Sequence, residues 1–142
     1  MLTRIRQGTR LFGGDDDENR SRTAILLARA GMADEAYEYL PSLDMGRAIA
    51  DEEILLVHAL YHADRAKAAS GVEKDLEHRT AWEIFGEITL MEDADLKVRQ
   101  EGLKAAMALL SEVPEAQARE WLDRVFANDQ VAPAALEIVA LD

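Results

Sequence analysis

The chain contains no cysteine. That excludes disulfides, thiolate metal ligands and cysteine nucleophiles, and it fits a reducing compartment, so a cytoplasmic location is expected. Proline occurs three times and glycine eight times in 142 residues. Both break regular helix, so their scarcity favours long helical stretches. Valine, isoleucine and threonine are scattered and rarely alternate with polar residues, which leaves no strong strand signal. No apolar run approaches the roughly 18 residues of a membrane span. Serine is sparse and no GxSxG appears, so nothing marks a serine nucleophile. Gly13-Gly14 lacks a following GK[ST] and is not a phosphate loop.

Basic charge is also short. Sixteen Lys and Arg stand against 28 Asp and Glu, a formal net charge of −12. A surface of that sign repels phosphates and anionic lipid, so direct nucleic-acid binding by the main body is not expected. The exception is the start. Residues 1–14 carry Arg4, Arg6 and Arg10 among Leu2, Ile5, Leu11 and Phe12, with no acid. Charge then flips at Asp15-Asp16-Asp17-Glu18. The flip marks residues 1–20 as a basic then acidic arm and residues 21–142 as one helical domain. The arm has no continuous apolar core of the secretory type. The acidic run does not make a calcium loop, because Arg20 and Leu26 stand where an EF-hand needs glycine and a bidentate glutamate.

What is abundant is alanine, leucine and glutamate at helical spacing. Punctuation at Gly31, Pro41, Gly71, Pro114 and Asn128-Asp129 divides the domain into seven helices. They are expected near 21–30, 33–40, 45–70, 73–91, 96–111, 114–127 and 128–142. Loops of a few residues make consecutive helices antiparallel neighbours. Two helices are apolar on both flanks. The long one carries Leu56, Leu60 and Ala63 on one side and Ile54, Val57 and Tyr61 on the other. The one from Leu96 carries Leu96, Leu103, Met107 and Leu110 against Val98, Gly102, Ala105 and Leu109. Helices buried on two sides suit layered packing, so the expected fold is all-α, a short α-solenoid or helical-repeat stack.

The segment Asp93-x-Asp95-x-x-Val98-Arg99, followed by Gly102-Leu103 and Ala105-Ala106, resembles the second helix of a HEAT-type repeat. The resemblance implies that the acidic turn caps the helix and that Val98, Gly102 and Leu103 pack in a solenoid core. It implies that Arg99 reaches acidic or backbone groups of adjacent repeats. A shift of 33 residues aligns Asn128, Val131, Ala135 and Leu136 with Asp95, Val98, Gly102 and Leu103. The second copy departs from the pattern at Ala132 and Pro133. The final helix, Val131 to Leu141, ends without a polar terminator. Arrays need a polar outer cap, so this end is expected to be covered by a partner or by self-association.

His58 and His62, four apart on one helix face, could ligate a metal, with His78 completing a three-histidine set. Ala-Leu-Tyr lies between the pair where a catalytic metal helix carries glutamate, and the strip they share with Asp51 and Arg65 also reads as an ordinary polar edge. Glu83 and Glu87 sit one turn apart, a spacing that 28 acids produce freely. Trp82 and Trp121 read as core or partner anchors, and Tyr37, Tyr39 and Tyr61 as half-buried packing with some binding surface. No catalytic residue and no cofactor is expected. The sequence therefore points to a non-catalytic adaptor that binds a protein partner or itself. The alternatives are a metal-binding helical protein using His58, His62 and His78, or an acidic inhibitor that mimics nucleic acid.

Overall fold

The computed structural model describes residues 16–40 and 51–141. Residues 1–15, which include the whole basic stretch of the arm, residues 41–50 and Asp142 lie outside the described residues. The described residues form seven α-helices and no strand. Helix α1 spans Asp16–Arg29. It begins earlier than the sequence suggests, since Asp16, Asp17 and Glu18 already belong to it. Residues 16–20 of the supposed arm are thus helix rather than linker. Gly31, at φ +85°, turns the chain out of α1, a left-handed conformation that costs glycine little. Helix α2 follows at Ala33–Glu38.

Helix α3 covers Asp51–Ala68, and Gly71, at φ +62°, opens α4 over Gly71–Leu90. The expected start of α3 near Met45 lies outside the described residues. Helix α5 runs over Leu96–Ala108 and then tightens into a 3-10 turn at Leu110–Glu112 instead of continuing to Ser111. Helix α6, Glu115–Phe126, has Pro114 at its N-cap rather than in its first turn. Helix α7 is Ala132–Leu141. No helix among the described residues is long and apolar enough to cross a membrane.

The helices stack in two rows. Helices α1, α3, α5 and α7 pack in succession along one row, while α4 packs on α6 in the other, with α2 bridging α1 and α3. Hairpin contacts between α3 and α4, α4 and α5, and α6 and α7 join the rows. The two apolar flanks of α3 explain its central place. Leu56 and Ala59 enter the larger core with Phe85, Ile88, Leu103, Trp121 and Val125. Ile54 and Val57 enter a smaller core with Ala24, Leu27 and Ala36. Each fully buried leucine, isoleucine or phenylalanine contributes about 1.5–3 kcal/mol, so both cores hold α3 strongly. On α5, Gly102 permits close approach to α4: a Cβ there would stand 3.0 Å from the Phe85 carbonyl oxygen.

Polar joints connect successive layers. Arg99 is only 1% exposed. Its Nε donates to the Thr89 carbonyl at 3.0 Å, and its Nη1 donates to Oε1 of Gln130, ahead of α7. Asp95 caps α5 by accepting from the Lys97 amide at 2.8 Å, and its own amide donates to Glu52 Oε2 at 2.6 Å. Asp93 is exposed, and no hydrogen bond or ion pair among the described residues uses it. The same design recurs 33 residues on. Asn128 accepts from the amides of Gln130 and Val131 at 2.9 and 3.3 Å. Val98 and Val131 are both buried, as are Gly102 and Ala135. The correspondence fails at the last position: Leu103 is buried, whereas Leu136 is 58% exposed. No described helix lies beyond α7 to cover it, and Val139 is exposed beside it.

Candidate docking groove

A concave feature lies between α4 and α6. On α4, Trp82, Phe85 and Gly86 turn inward while Glu83 and Glu87 turn out. On α6, Ala118, Trp121 and Val125 form the buried stripe of an amphipathic helix. Gln117, Glu120 and Arg124 border that stripe on the exposed side. The two helices meet at a glycine. A Cβ on Gly86 would lie 2.9 Å from Nε1 of Trp121, closer than packed atoms tolerate. Its absence lets the indole reach the α4 backbone, where Nε1 donates to the Gly86 carbonyl at 3.2 Å. Trp82 meets Trp121 edge to face, with centroids 5.8 Å apart, a favoured aromatic geometry.

Above this contact lies an open cavity of about 430 Å³. Its floor is the two indoles with Leu90 and Met91, and its walls carry Glu83, Glu87, Gln117, Glu120 and Arg124. None of the three glutamates makes an ion pair or side-chain hydrogen bond among the described residues. Nor does Arg124. Nε1 of Trp82 is buried and has no hydrogen-bond partner there either. The groove therefore offers apolar surface ringed by uncommitted charge, with three carboxylates against one guanidinium.

The histidines occupy separate surroundings. His58 lies edge-on to the Tyr37 ring at 5.1 Å, and its Nε2 is buried without a hydrogen-bond partner. Burial, and secondarily the neighbouring His62, hold its pKa below the ordinary 6.5. His62 instead hydrogen-bonds through Nδ1 to Glu77 Oε2 on α4 at 2.7 Å. His78 Nδ1 lies 3.7 Å from Glu112 Oε2 in the 3-10 turn. Each imidazole thus faces a different neighbour, and only His62 is hydrogen-bonded to its own. Among the described residues no group of three or more His, Asp or Glu side chains is arranged to hold a metal ion. Around His58 the tyrosines form a packed cluster: Tyr37 stacks on Tyr61 with centroids 4.0 Å apart, and Arg65 donates to the Tyr61 hydroxyl at 3.0 Å.

Two functional positions escaped the sequence reading. Gly86 had a usable signal, since glycine inside a helix costs about 1 kcal/mol relative to alanine and so demands a packing reason. Glu52 had none: its contact with Asp95 spans 43 residues. No family model matches this chain, and no curated protein or solved structure matches it either.

Proposed function

We propose that this chain is a non-catalytic protein-interaction module, a short HEAT-like helical array that docks a partner protein along the groove between α4 and α6. The observation that carries the reading is the groove itself: an apolar floor built over the Trp82–Trp121 contact beneath three glutamates with no ion-pair or side-chain hydrogen-bond partner among the described residues. Trp82 and Trp121 are themselves core residues, each 6% exposed, so they shape the groove, and the apolar contact open to a partner is the half-buried Leu90 and Met91 within a polar rim. The HEAT-like assignment draws support from the two-row packing and from the recurrence of cap, valine and small residue 33 residues apart. The net charge of −12 favours a protein over a nucleic acid or an anionic membrane. The absence of cysteine supports a cytoplasmic setting.

Affinity capture of the full-length chain from its native source tests this. The unmodified chain and a Lys104→Glu control on the exposed side of α5 should retain the same protein in stoichiometric amount. The double variant Glu83→Lys with Glu87→Lys should lose it. Equal recovery by all three chains would exclude the groove as the docking surface.

A further inference from the structure

We infer that the occupant of the α4–α6 groove is a basic amphipathic segment of the partner, with arginine or lysine set against Glu83, Glu87 and Glu120 and apolar side chains resting on Leu90 and Met91. This rests on the interaction-module reading above and names the partner's chemistry. Glu83 and Glu87 are one helical turn apart and both exposed, so they present a pair of carboxylates on one helix face, with Cβ atoms about 5–6 Å apart. Two cations one turn apart on a helical segment match that spacing. Because the carboxylates have no ion-pair partner among the described residues, a cation arriving there displaces no bridge to any of those residues. Arg124 is the only cation in the walls, so an acidic segment would meet three like charges for each opposite one. The half-buried Leu90 and Met91 reward apolar contact that a purely charged tail could not make. At about 430 Å³ the cavity accommodates a few side chains, the footprint of a segment rather than of a domain face. The field of the whole chain, at −12, draws a cationic segment in and repels a second copy.

Residues 1–14 have the same chemistry as the proposed ligand, so the test must separate them from an external segment. The full-length chain is prepared with p-benzoylphenylalanine in place of Gln117, an exposed wall residue. It is mixed with a fluorescein-labelled synthetic peptide of leucine and arginine at helical spacing, or with the same peptide bearing glutamate for arginine. Fluorescence anisotropy should show binding of the arginine peptide and none of the glutamate peptide. Binding should weaken by about 10-fold or more in Glu83→Lys with Glu87→Lys, and also in about 0.5 M salt. Asp129→Lys with Glu137→Lys changes the net charge equally but lies away from the groove, and should leave affinity within about twofold. On irradiation the crosslink should join position 117 to the peptide.

No binding, or equal loss in both double variants, would overturn the inference. A crosslink from position 117 to residues 1–14, or to a second copy, in place of the peptide would overturn it too. If the native partner is captured and lost from the groove variant while the arginine peptide fails to bind, only the partner's chemistry falls and the module reading stands.

Discussion

The indole of Trp121 on α6 donates to the backbone carbonyl of Gly86 in the middle of α4, at 3.2 Å. This bond is possible because position 86 has no side chain, and it fixes the width of the groove above it. Placing Gly86→Val there should therefore force α6 away. Overpacking of a close contact costs about 1–3 kcal/mol, while the helix-propensity gain over glycine is a few tenths. The expected outcome is a chain destabilised by about 2 kcal/mol in urea unfolding, with tryptophan fluorescence shifted to the red. Unchanged stability would mean that α4 and α6 are not packed at Gly86.

Arg99 joins three helices through one buried guanidinium, since it reaches the end of α4 and the approach to α7 from α5. Hydrogen bonds to charged groups are worth about 1.5–3 kcal/mol each, and truncation leaves the carbonyl of the buried Thr89 unsatisfied. Arg99→Ala should lower unfolding free energy by about 3 kcal/mol. It should also speed amide exchange in α7 more than in α2, which it does not touch. Uniform acceleration would contradict the joint.

Asp95 and Asn128 should behave as equivalent caps. Asp95→Ala and Asn128→Ala are each expected to cost about 1 kcal/mol, measured by denaturant unfolding. Asp95 adds a second link through its amide to Glu52. Glu52→Gln keeps an acceptor and loses the charge, so it should destabilise less than Glu52→Ala.

The recurrence of these caps 33 residues apart, and the apolar flanks that divide α3 between two cores, were legible because helical periodicity and capping are local. The boundaries were legible where local signals impose them, as at Gly31 and at the Asp95 cap ahead of Leu96. Elsewhere tertiary contact decided. The 3-10 turn at Leu110–Glu112 ends α5 early, although its sequence continues the helical pattern. The groove was not legible at all. Trp82, Glu83, Glu87 and Trp121 were each noticed, but the approach that unites them runs through Gly86, whose partner lies 35 residues away. His58 and His62 illustrate the converse: a regular spacing on α3 puts His58 against Tyr37 and His62 against Glu77, so shared helix face did not mean shared partner.

Stability should depend on pH through His58. Burial, and to a lesser degree His62, lower its folded pKa below 6.5, so the folded chain holds it neutral while the unfolded chain protonates it first. The unfolded state then binds more protons in the window below pH 6.5, and stability is lost as pH falls through that window toward the folded pKa. Carboxylates add their own acid dependence, so the diagnostic is a difference. His58→Gln should show a shallower loss than the unmodified chain between about pH 6.5 and 5, followed by thermal unfolding. Parallel profiles would contradict the burial of His58.

The surface over α4 and α6 is the heart of the functional account, and hydrogen–deuterium exchange of the full-length chain reads it directly. With the captured partner bound, protection should concentrate in residues 82–91 and 117–124, leaving α1 and α2 unchanged. Protection confined to α7 around Leu136 and Val139, or to α1 and α2, would contradict the assignment of the groove as the docking surface.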